Sequence, residues 1–190
     1  MNKKKIASTI LVMAIVVVAI VGVYYYLSNR IVDKGDSVEI PKTTVEQLIQ
    51  KDMDLDYPAT PKTVVQLYSQ FSKCFYDKQY DETEYKQLVS QYRNLLDQEL
   101  LVNNPEDGHI DLLAKEVDGY SDEKRYILSF YEPEGSEVKT YKSGGKEYAT
   151  VQITYALREG DKTVLNTVEE FILRKDNDGK WRILGWRLAK

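Results

Sequence analysis

Apolar residues along this chain recur with three different spacings, and each spacing predicts a different kind of element. From Ile6 to Leu27 the run IASTILVMAIVVVAIVGVYYYL contains no charged residue. At about 1.5 Å per residue it would span roughly 33 Å, enough for a hydrocarbon core of about 30 Å. From Thr60 onward the apolar positions fall three or four apart, as on a helix buried along one face. Val64, Leu67/Tyr68, Phe71 and Cys74/Phe75 make one stripe. Tyr85, Leu88/Val89, Tyr92 and Leu95/Leu96 make a second, and Ile110, Leu113/Ala114 and Val117 a third.

Local punctuation agrees with these stripes. Thr43 or Thr44, with Glu46 or Gln47 three residues on, suits the start of a short first helix. Thr60-Pro61 and Asn104-Pro105 each put a capping side chain before a proline, whose missing N–H costs nothing in a first turn. Asp81 with Glu84 forms a capping box. Near Arg125 the period changes to two. In Tyr148–Leu157 the side chains of Ala149, Val151, Ile153, Tyr155 and Leu157 alternate with polar ones, which predicts a half-buried strand. Thr163–Lys175 and Lys180–Leu188 read likewise, and Asp178-Gly179 between them is a hairpin turn.

Helices followed by hairpins predict an α+β fold. The expected architecture is an N-terminal transmembrane helix, then three to four helices packed on a curved antiparallel sheet of about four to five strands, cone-like in form. The expected organisation is a cytoplasmic tail at 1–5, a transmembrane helix at 6–27, a linker at 28–42 and an extracytoplasmic domain at 43–190. Lys3, Lys4 and Lys5 precede the apolar run and only Arg30 follows closely, which places the N-terminus in the cytoplasm. A cleaved signal peptide would need a shorter apolar region and small residues at its end; here the run ends in Tyr24, Tyr25 and Tyr26. The expected location is the cell membrane, single-pass, with the lipid bilayer as partner through residues 6–27.

Charge narrows the partners further. The 190 residues carry a net charge of −4. Residues 1–30 hold four basic residues and no acid, so the rest carries 22 bases and 30 acids, a net of −8. A surface of that sign repels phosphate backbones, so nucleic acid is not an expected partner. Cys74 is the single cysteine, so no intramolecular disulfide can brace the domain. Its place on an apolar helix face predicts a buried, inert thiol.

The ending EEFILRKDNDGKWRILGWRL, Glu169 to Leu188, reads as a strand, a tight turn and a W-x-I-x-x-W strand. With the order of elements before it, this resembles the cone-shaped domains of the nuclear-transport-factor-two-like superfamily, which includes ketosteroid isomerase and many non-catalytic modules. Together with YPATPKTVVQLYSQFSKCFYD it is also similar to an uncharacterised family of single-span bacterial proteins. The resemblance implies a cone domain over about residues 43–190, and a pocket between helices and sheet. Isomerase members hold a carboxylate base and a Tyr with a protonated Asp in such a pocket; no matching set is readable here, so no catalytic residue is assigned.

Four residues are candidates for a ligand pocket: Tyr155, Glu169, Trp181 and Trp186. Aromatics on a terminal hairpin are more often core, and Glu169 and Glu170 are adjacent, so only one can face inward. His109 is the single histidine, beside Asp107 and Gly108, and its expected position is exposed. Asp52, Asp54 and Asp56 imitate a calcium loop, but an EF-hand starting at Asp52 needs Gly and Glu where Tyr57 and Thr63 stand. Neither a metal site nor a cofactor motif is expected. The leading functional expectation is a non-enzymatic interaction or assembly domain of the cell envelope, with an envelope protein or a second copy as partner. The alternative is a pocket of the same fold that binds, or isomerises, a small apolar molecule.

Overall fold

Capping decides where the helices begin. The computed structural model describes residues 45–133, 137–160 and 162–189. All of these lie in the unit Thr43–Lys190, one of the two into which the chain divides. Helix α1, Val45–Ile49, buries Leu48; its expected capping threonines lie outside the described residues. Helix α2, Pro61–Asp77, starts as expected at Thr60, whose hydroxyl accepts the Thr63 N–H at 3.1 Å. Thr63 returns the bond to the Thr60 N–H, so two otherwise orphaned donors are satisfied. Helix α3, Glu82–Arg93, carries the Asp81–Glu84 box with both bonds formed.

Two further helices follow. Helix α4, Gln98–Asn103, is capped by Asp97, whose Oδ1 accepts the Glu99 N–H at 2.9 Å. Asn104 therefore closes α4, donating from its side-chain amide to the Leu100 carbonyl, and does not cap the next helix as expected. Helix α5, Glu106–Asp122, begins after Pro105 with no side-chain cap, and only Val117 on it is buried.

The strands are β1 (Arg125–Tyr131), β2 (Lys139–Ser143), β3 (Lys146–Glu159), β4 (Lys162–Lys175) and β5 (Trp181–Leu188). All pairings are antiparallel, in the order β1-β3-β4-β5, with β2 pairing the N-terminal part of β3 beyond the reach of β1. The β4–β5 turn is held by Asp176, whose Oδ1 accepts the N–H groups of Asp178 and Lys180. Gly179 supplies the positive φ of 79° that the turn requires.

The structure corrects the expected fold class. Among the described residues it is α+β with a five-stranded antiparallel sheet and five helices, where three to four were expected. Among the described residues no helix is long and apolar enough to cross a membrane. The stretch 6–27, expected as a transmembrane helix, lies outside the described residues.

One sheet face is the core face. Period two puts Ala149, Val151, Ile153, Tyr155 and Leu157 of β3 on it, across from Leu173, Phe171, Glu169, Thr167 and Leu165 of β4. On β5, Trp181 and Ile183 are buried on this face. Trp186 is five residues after Trp181 and would point away in a regular strand. A bulge intervenes: Ile172 pairs with Gly185 but Leu173 with Ile183, so one extra residue reverses the parity. Trp186 then stacks on Phe171, ring centroids 6.1 Å apart, and meets Tyr68 of α2 at 5.4 Å.

The free edge of β5 is covered in part by the chain around Leu96. The Ile183 N–H donates to the Leu95 carbonyl and the Asp97 N–H to the Ile183 carbonyl, both at 2.8 Å. Asp97, 4% exposed, receives both arms of the Arg174 guanidinium, Nε at 2.9 Å. Asp97→Ala removes a helix cap and leaves the shielded Arg174 guanidinium with Glu99, at 3.3 Å, as its remaining carboxylate partner; the expected cost is about 2 to 3 kcal/mol in urea unfolding of the full chain.

Candidate functional site

Past the sealed part of the core, the inner sheet face continues beneath the flank of α2 that carries Tyr68, Ser72, Phe75 and Tyr76. Helix α5 stands across the opening, and a cavity of about 570 Å³ remains between them. Its inner wall is aromatic: Tyr68 and Phe75 of α2, Tyr92 of α3, Tyr155 of β3 and Trp186 of β5. Around the mouth stand Leu112 of α5, Leu165 of β4 and Leu188 of β5, all exposed.

The hydroxyls of this wall are tied down. Ser69 Oγ donates its one proton to the Val65 carbonyl at 2.9 Å, so across the 2.7 Å contact with Tyr155 the tyrosine is the donor. Tyr76 donates to Glu116 Oε1 at 2.5 Å, joining α2 to α5. Tyr85 reaches the Ile110 carbonyl at 2.8 Å, a second tie to α5. Burial raises the ionisation of Tyr68, Tyr92 and Tyr155 above the ordinary tyrosine value, so all three are neutral phenols.

Glu169 sits on β4 between Ile153 and Leu188 and is half-buried in the cavity wall. It makes no hydrogen bond or ion pair with any described residue. Burial, and behind it the charge of Glu116, raises its carboxyl above the ordinary value of 4.5. Its neighbour Glu170 faces the opposite side and pairs with Arg187. His109, expected to be exposed, is instead half-buried in the α5 wall. Arg93 Nη1 donates to its Nδ1 at 2.9 Å, which fixes the proton on Nε2. Burial first and the Arg93 charge second hold its ionisation below the ordinary value, so the ring is neutral at pH 7. Arg125 at the rim is engaged by Glu123 at 3.0 Å and Glu159 at 2.9 Å.

Of the four residues singled out from the sequence, Tyr155, Glu169 and Trp186 line this cavity. Trp181 does not: it is 8% exposed in the core, with the Lys175 ammonium 5.5 Å from its ring. The α5 contribution, His109, Leu113, Glu116 and Tyr120, had no legible signal, because its stripe reads as core. Asp52, the head of the triple-aspartate segment, accepts the Asp54 and Leu55 N–H groups at 2.9 Å, which is turn chemistry. Among the described residues no group of three His, Cys, Asp or Glu converges to hold a metal ion.

Fold and site together define a small α+β domain with an aromatic-walled, carboxylate-bearing cavity between helices and sheet. Over residues 1–186 the chain matches a family described as "Domain of unknown function (DUF6715)", and it belongs to that family. No curated protein matches it.

Two outcomes follow from the ionisations. A carboxyl whose pKa rises on folding favours the fold when protonated. That contribution is present below the unfolded value and is lost as pH rises through the folded one. Glu169→Gln therefore unfolds at a higher temperature than the parent at pH 7, and the gain shrinks towards pH 4. Burial pushes the Cys74 thiol up to about 11. At pH 8 only roughly one thiol in a thousand is thiolate, so a disulfide reagent labels the folded chain about a hundredfold more slowly than the urea-unfolded chain.

Proposed function

We propose that this domain is a binding module for a small, largely apolar molecule that sits in the cavity against Tyr68, Tyr155 and Trp186. The observation that carries the reading is the cavity itself. At about 570 Å³ it falls within the size of ordinary small-ligand sites, with an aromatic inner wall and polar groups, Glu116, Glu169 and Arg125 among them, that can orient a ligand. The cone-domain likeness supports it, since that superfamily keeps a pocket between its helices and its curved sheet. A non-enzymatic role is the simpler reading. Two of the groups that could move a proton are engaged elsewhere, His109 with Arg93 and Tyr155 with Ser69, and Glu169 stands without a partner that would make it part of a catalytic set.

In the same proposal the domain works at a membrane. The uncharged run Ile6–Leu27, with Lys3–Lys5 before it, attaches the chain to a lipid bilayer, with the acidic domain on the outer side of the cell. A second reading, an assembly domain for an envelope protein or a second copy, draws on one observation. Leu112, Leu165, Trp186 and Leu188 gather exposed apolar surface around the mouth, at 60%, 49%, 44% and 66% exposure.

The pocket reading is tested by fluorescence. In a Trp181→Phe background, titration of the full chain with small aromatic compounds quenches or shifts Trp186 emission saturably. Thr167→Phe, which narrows the cavity from β4 without adding an emitter, weakens that binding at least tenfold. Absence of a saturable change at millimolar concentration, or equal binding by Thr167→Phe, refutes it.

A further inference from the structure

The lining of the cavity is unbalanced in charge. Three carboxylates reach it, Glu116, Glu159 and Glu169, against the cation Arg125 and the neutral His109. Arg125 and Glu159 neutralise each other through their ion pair, and the Arg125 guanidinium also lies over the Tyr120 ring at 5.2 Å. Glu116 and Glu169 remain. Neither forms an ion pair with a described residue, and Glu169 stands near enough to feel the charge of Glu116. Glu116 at least accepts the Tyr76 hydroxyl; Glu169 has nothing.

Beyond Ile153 and Leu188, its neighbours across the sheet, the wall that Glu169 shares is π-surface. Tyr68 packs on Trp186 with centroids 5.4 Å apart and on Tyr92 at 5.1 Å. Tyr155 completes the wall, and it, Tyr68 and Tyr92 all lie close enough to Glu169 to sense its charge. Ring faces carry partial negative charge and attract cations, tryptophan and tyrosine most strongly. A carboxylate without a partner beside such a wall is poor company for a neutral hydrocarbon and repels an anion. It suits a positive group placed between ring and carboxylate.

Resting on the reading of this cavity as a ligand site, we propose that its ligand is an organic cation: an apolar body with a substituted ammonium group, the ammonium held against Glu169 by the Tyr68, Tyr92, Tyr155 and Trp186 rings. Glu116, across the cavity on α5, adds attraction at longer range. The apolar body extends toward Leu113, Leu165 and Leu188. Recognition is by shape and charge, and no bond is made or broken.

Benzyltrimethylammonium and its uncharged isostere neopentylbenzene separate this proposal from the pocket reading beneath it. The quaternary ammonium has no proton to lose, so its charge is fixed. Both are titrated into the full chain at pH 7.5, read by Trp186 emission and by calorimetry. The expected result is that the cation binds at least tenfold more tightly than the isostere. In Glu169→Gln that preference falls to within about threefold, and in Glu116→Gln it falls less. Thermal unfolding of each variant confirms that it is folded. Equal or tighter binding of the isostere overturns the cation proposal and leaves the pocket reading standing, as does an undiminished preference in a folded Glu169→Gln. If neither compound binds, both fall.

Discussion

Strands β3 and β4 are longer than anything available to cover them. Each runs 14 residues, about 46 Å at strand rise, whereas α2 has 17 residues and spans about 26 Å. An antiparallel pair of that length offers one apolar face from end to end, and a single helix seals only part of it. At the sealed end Ala149, Val151, Phe171, Leu173 and Ile183 lie under α2 and α3, none more than 4% exposed. At the other end the same face carries Leu157, Thr167 and Leu165, and there α5 stands across the cavity from the flank of α2. With one buried residue in 17, α5 contributes little hydrophobic driving force to close that gap. The cavity is the space left by this mismatch, and its wall is whatever the period-two pattern put there.

That pattern explains most of what could be read in advance. A helix stripe or an alternating strand is a property of neighbouring residues, so the elements around Thr60, Asp81 and Tyr148 announce themselves. Glu169 was legible in the same sense. It shares parity with Phe171 and Leu173, and the resulting position is inward, with Glu170 left to Arg187 outside. Trp186 is a harder case. Its contact with Tyr68 depends on the extra residue between Ile183 and Gly185; Gly185 in mid-strand signals a bulge, but not on which side of it the extra residue falls. Without it Trp186 and Leu188 would belong to the opposite face.

Other gaps have equally local causes. Asn104-Pro105 looks like a helix start, because capping preference is a statement about a few residues. Tertiary contacts instead let Asp97, pinned by Arg174 and by the β5 edge, start a short helix that Asn104 ends. His109 looked solvent-facing beside Asp107 and Gly108. Its burial depends on Arg93, sixteen residues earlier on a different helix. Such contacts between elements leave no periodic trace.

Tyrosine, at 15 residues against 4 phenylalanines, is the side chain that makes a wall of this kind stable. A ring packs as a hydrophobe while its hydroxyl satisfies a group on another element. Tyr57 reaches the Trp181 carbonyl at 2.6 Å, Tyr80 the Phe75 carbonyl at 2.8 Å, and Tyr155 the Ser69 hydroxyl. A domain without a disulfide gains crosslinks this way at little cost in apolar burial. Against that economy Glu169 stands out. A sequence serving only the fold would place a hydrophobe between Phe171 and Thr167. It would bury more apolar area and avoid both the desolvation of a carboxylate and its repulsion from Glu116. Local choices that work against the fold mark places where something other than the fold sets the residue. Here that residue lies in the wall of an aromatic cavity, and a positive charge there would relieve both costs at once.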